Sequence, residues 1–224
     1  MAARIDTNRV ENGLEITKLI TNETNIVIPD KIDGVPVVSL GEAFLKDSYG
    51  GGNRTLVIPS SVVSASENAL NNTSGLKTIN YLGNFEVFNS FRWRIGANCQ
   101  LICADGFSFN FLTDYPMYFP DFDEELLTIH QGISDETVMA RLSNPVLLSD
   151  ENREKYEAFM RSRVFPMTEH SIFENDIAGL KSVLDVDLLT ENDLFRLLEI
   201  SARSGRISST SVLMSKLNSI CKSE

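Results

Sequence analysis

The chain has 224 residues, 42% of them hydrophobic, and its 20 Lys and Arg against 31 Asp and Glu leave a net charge of −11. A chain of this length buries roughly 70% of its unfolded surface, enough for a real core in one or two domains, while the negative balance repels nucleic-acid phosphates and anionic membrane surfaces. Three Cys and two His supply neither a disulfide framework nor a zinc site of the repeated Cys-pair type.

Residues 1–10 contain no apolar stretch of the signal-peptide kind, and no window approaches the ~18 apolar residues of a membrane helix. The sequence as it stands predicts a cytoplasmic protein without membrane insertion, and a cell-surface one if a signal peptide has been removed. Short β-branched runs bounded by turn residues follow at Leu14–Ile16, Asn25–Ile28, Val35–Val38, Thr55–Ile58, Lys77–Ile79 and Gln100–Cys103. Each predicts a short strand. Near residue 112 the period becomes helical, as in Leu194, Leu197, Leu198 and Ala202 and again in Leu213, Leu217 and Ile220, with Pro120, Pro145 and Pro166 between the periodic stretches. Ser134 and Ser149 are expected N-caps, and Thr190 with Asp193 an expected capping box. Charge shifts at the same place, from a net −2 over residues 1–112 to −9 over 113–224. The expected fold class is α+β: a β-solenoid over 1–112, an aromatic and acidic connector over 113–133, and a helical domain of amphipathic hairpins over 134–224.

The first half repeats itself. Ile26–Pro29 is followed by Val38–Phe44, and Leu56–Pro59 by Val63–Leu70, so the unit is a strand closed by Pro, a turn, then Val-Ser, Glu and an Ala beside a large apolar residue. A degenerate third copy starts at Gly75 and runs through Trp93 to Gly106. One such unit is too small to bury its own apolar face and must stack on the next, and Pro ends the strand because it cannot donate to a ladder.

On Ile28–Val37, on Ile58–Val63, and on Ile79–Gly83 with Trp93 as a closing unit, the chain resembles the BspA-type leucine-rich repeats of bacteria and some protists, over about residues 12–106. It departs from the family at Ala65 and Leu70, where Ile and Phe are usual, and in the tract Asp47–Asn53, which lengthens the first repeat. The resemblance implies a solenoid with an extended protein-binding surface. In the second half, Ser171–Leu184 lines up with Glu199–Leu213, 29 residues on, and resembles ankyrin-type helix pairs lacking the β-hairpin signature.

Each chemically suggestive cluster also has a plain structural reading. Asp121–Glu125 after Pro120 reads as an acidic first helical turn rather than a metal loop, which needs alternating oxygens and a Gly. Cys99 and Cys103 fall on one face of a strand and Cys221 on the apolar face of the last helix, all three as core. His130 and His170 have no nucleophile elbow to serve, and Gly50–Gly52 has no phosphate-loop Lys. No catalytic, metal or cofactor-binding residue is therefore predicted. Tyr49, Arg54, Arg92, Trp93 and Arg94 are the candidate protein-binding residues, since Trp and Arg recur in interface hot spots; in the alternative reading Trp93 closes the third repeat while Arg92 and Arg94 point outward. The aromatic run from Phe107 to Phe119 is expected to bridge the solenoid end and the helical domain. The expected function is a non-enzymatic protein-protein interaction module with an unidentified protein partner and no nucleic acid. A cell-surface adhesive fragment, or an enzyme with a site in the helical half, are the alternatives.

Overall fold

The computed structural model describes residues 3–113, 115–128 and 133–220. The fold is mixed α+β, and the chain divides into two compact units, 1–132 and 133–224.

The first unit runs β1 (Arg4–Val10), β2 (Gly13–Ile20), β3 (Asn25–Val27), β4 (Lys31–Ile32), β5 (Val35–Leu40), β6 (Arg54–Ile58), β7 (Ser64–Ala65), β8 (Leu76–Tyr81), α1 (Phe85–Asn89), β9 (Arg94–Ile95), β10 (Cys99–Cys103), β11 (Ser108–Phe111), β12 (Met117–Tyr118) and α2 (Phe122–Thr128). Two five-stranded sheets alternate along the chain in solenoid fashion. In one, β2, β5 and β7 are parallel, β1 lies antiparallel on β2, and β4 folds back on β5. In the other, β3, β6, β8 and β10 are parallel and β11 closes the edge antiparallel to β10. Pro29 and Pro59 fall just beyond β3 and β6, where a missing N–H costs no ladder bond.

Asn53 (φ 65°), Gly75 (φ 68°) and Asn98 (φ 52°) each stand one residue ahead of β6, β8 and β10. Asn and Gly enter the left-handed region most readily, so the turn into each strand is set by local chemistry. At Gly75 a side chain would also meet the Gly51 carbonyl at 3.1 Å, so one turn of the coil sits directly on the last. Ile26, Leu56, Ile79, Leu101 and Phe109 are in cross-strand register and all buried. Ile28, Ile58, Phe44 and Leu70 are buried in the same unit.

Beyond Gly106, where the sequence repeat ends, Ser108–Phe111 and Met117–Tyr118 both pair, as β11 on β10 and β12 on β9. Their alternation was hidden by an apolar, Pro-rich segment that reads as a connector. The segment folds into the first unit, where Phe109 and Phe111 pack on Phe119 and Phe122 with ring centroids 5.2 to 5.7 Å apart.

The second unit contains α3 (Asp135–Ser143), α4 (Asp150–Met160), α5 (Val164–Glu174), α6 (Ile177–Asp185), α7 (Glu191–Arg203) and α8 (Ile207–Ile220). Ser134 and Ser149 accept from the backbone N–H of Thr137 and Asn152, and Thr190 and Asp193 form the reciprocal box. Pro166 lies inside the first turn of α5 rather than between helices, a place where its missing N–H has no intrahelical partner to lose. Helices α5 with α6 and α7 with α8 form two hairpins around Ile172, Leu180, Leu184, Leu194, Leu197, Leu213 and Leu217. Arg206, between α7 and α8, donates to the carbonyl of Phe173 at the end of α5, tying one hairpin to the other.

Candidate protein-binding face

The five residues expected to contact a partner are separated by the fold. Tyr49 is 73% exposed on the loop between β5 and β6. Arg54 and Trp93 have no exposure at all and belong to the interior. For Arg54 the reason is the three backbone carbonyls around it: its guanidinium donates to Ser48 at 3.0 Å, Glu23 at 3.3 Å and Thr21 at 3.4 Å, and desolvation lowers its pKa. Arg is almost never fully buried unless paired, so composition alone points the wrong way here. Trp93 packs edge-on against Phe88, at 5.4 Å, and tilted against Phe91, at 5.2 Å. Arg92 and Arg94 are exposed and pair with the residue just before α2 and with α2 itself. Arg92 pairs with Asp121, while Arg94 lies 3.7 Å from Glu125 and 5.2 Å from the Tyr118 ring centroid.

The acidic run is used locally. Asp123, Glu124 and Glu125 form the first turn of α2, and Glu125 accepts from the Tyr118 N–H at 2.6 Å. Cys99 and Cys103 point inward from β10, and burial pushes their thiols up to about 12 and about 11. Both stay protonated at neutral pH, and a protonated thiol is a poor nucleophile. His170 is exposed on α5, while His130 and Cys221 lie outside the described residues. Among the described residues no group of three His, Cys, Asp or Glu is placed to hold a metal, and no helix is long and apolar enough to cross a membrane.

The feature that stands out is the outer face of the sheet built by β3, β6, β8, β10 and β11. Side chains alternate along a strand, so the positions flanking the buried row form two outward rows. One row is Asn25, Thr55, Thr78, Gln100 and Asn110; the other is Val27, Val57, Asn80, Ile102 and Ser108. All ten are exposed or half-buried and none is charged, in a chain where charged residues make up 23%. Val27 at 58% and Ile102 at 37% exposure give this face apolar area, and the amides and hydroxyls give it donors and acceptors. Covering it removes no charge from water, and depletion of charge is one mark of interface cores. Sequence reasoning passed over these residues because it followed the inward set. The signal was the other half of the same alternation, in which no Lys, Arg, Asp or Glu occurs.

Set beside known proteins, the chain matches no family model, no curated protein and no solved structure.

Proposed function

We propose that the chain is a non-enzymatic protein-binding module, that its first unit is a short leucine-rich-repeat solenoid of the BspA type, and that its partner docks on the outer face of the five-stranded sheet. The observation that carries this reading is the run of ten uncharged outward positions across five registered strands. A flat array of this kind meets a partner through complementary shape and neutral hydrogen bonds, at little desolvation cost. The paired helices of the second unit are read as ankyrin-like, and stacked hairpins likewise serve as binding scaffolds.

The test is comparative capture from the native cell with three immobilised forms: the natural sequence, a Val27→Glu/Ile102→Glu variant, and a Val63→Glu control. Val63 is 55% exposed ahead of β7, in the other sheet. The reading expects a partner held by the natural and control forms and lost by the double variant. Equal capture by all three, with the double variant folded, would remove the outer face from consideration.

A further inference from the structure

A cavity of about 470 Å³ opens beside the N-terminal ends of β8 and β10, within the size range of ligand sites, and its wall includes Asn71, Thr73, Gly75, Lys77, Arg94 and Gly96. No Asp or Glu lines it, although the chain carries a net charge of −11. Lys77 is the extra residue where the register of β6 and β8 shifts. Its ammonium donates to the Ala97 carbonyl at 3.3 Å and makes no ion pair among the described residues. Two of its three donors are therefore unspent. Arg94 gives one N–H to Pro116 at 3.3 Å, and its contact with Glu125, at 3.7 Å, is too long for a forked pair. An ammonium with spare donors and a guanidinium on the wall of one cavity are an arrangement that an acceptor-only, singly charged group completes.

We propose that this cavity binds a carboxylate, the acidic side chain of the protein partner, with Lys77 and Arg94 as its counter-charges. The proposal rests on the protein-binding reading for its source of carboxylate. A phosphate dianion fits less well, because Glu125 already faces Arg94 and the summed charge of the chain opposes a second negative charge.

The experiment follows backbone amide resonances of the isotope-labelled full chain on addition of a blocked Gly-Glu-Gly tripeptide, its Gly-Gln-Gly counterpart, and inorganic phosphate. Saturable shifts at Gly75, Lys77 and Gly96 are expected with the Glu peptide alone, weakened tenfold or more by Lys77→Gln. Gly96→Leu should abolish them without unfolding the chain, since a Cβ at Gly96 meets nothing within 4 Å. Equal shifts with the Gln peptide, tighter binding of phosphate, or full binding by folded Gly96→Leu would each overturn the proposal. The outcome is separable from that of the sheet face, because Val27→Glu/Ile102→Glu leaves the cavity wall untouched.

Discussion

Arg54 holds Ser48 from within. The guanidinium, with no solvent exposure, donates to the Ser48 carbonyl at 3.0 Å, while the Ser48 hydroxyl accepts from the Thr21 N–H at 3.1 Å and donates to the Leu19 carbonyl. The loop that lengthens the first repeat is thereby pinned to the end of β2 at its base, while Tyr49 at its tip stays in water. Removing the arginine leaves three carbonyls without a donor. Arg54→Ala should cost ~3 kcal/mol or more, and Arg54→Lys a similar amount because one ammonium on a single stem cannot span three acceptors in a plane. Urea unfolding measures the loss, and limited proteolysis should then cut first between residues 48 and 53.

Alkaline conditions should destabilise the first unit through Cys99. Burial holds this thiol at about 12 against an ordinary value of 9.0. The unfolded chain therefore releases its proton first, and stability is full below pH 9 and falls as pH rises from there towards the folded value. One such group contributes a slope of up to ~1.4 kcal/mol per pH unit. Cys103 and Tyr81, raised by burial to about 11 and about 12, act in the same direction. Urea midpoints measured from pH 7 to 10.5 should fall, and Cys99→Val should flatten the decline. An unchanged slope in that variant would show that the thiol stays in water.

Gly179→Ala should fail to deliver the usual gain. Gly inside a helix normally costs ~1 kcal/mol relative to Ala. Here a Cβ would stand 2.2 Å from Asp176 Oδ2, the carboxylate that caps α6 by accepting from the Gly179 N–H at 2.9 Å. The cap must leave, at a cost of the same size as the gain. The substitution is expected to be close to neutral alone and to stabilise by ~1 kcal/mol in an Asp176→Ala background, a difference that a double-mutant cycle on thermal unfolding resolves.

The rings after β10 belong with the sheet they close. A fragment ending at residue 112 loses Phe119 and Phe122, both 1% exposed, and uncovers Phe109 and Phe111. Light scattering after size exclusion should show that fragment aggregating while residues 1–132 remain monomeric. Aggregation of both would mean that the second unit is needed to cover this surface.

Much of the architecture was legible because it rests on local chemistry. Leu14, Ile26, Leu56, Ile79 and Leu101 announce their strands by β-branched or apolar alternation, Pro29 and Pro59 mark two strand ends, and Ser134, Ser149 and Thr190 name their own helix starts. What escaped depends on distant partners. The strand at Ser108–Phe111 exists because β10 offers it an edge. The burial of Arg54 depends on three carbonyls, two of them more than 30 residues away. The candidate face escaped for another reason: it is defined by the charges missing from alternate positions on five strands, and each strand alone is too short to make that absence noticeable.

The parallel stack is bounded by two strands that run against it, β1 on β2 in one sheet and β11 on β10 in the other. They act as bookends. A further turn of the coil has no parallel neighbour to join beyond β11, whereas β3 ends the same sheet with no strand paired across its far edge among the described residues. The width of the uncharged face is therefore set on one side by the reversal into β11, and β3 forms its other edge. Adding a strand on the β11 side calls for an internal duplication ahead of that reversal, behind the left-handed Asn or Gly that opens β6, β8 or β10.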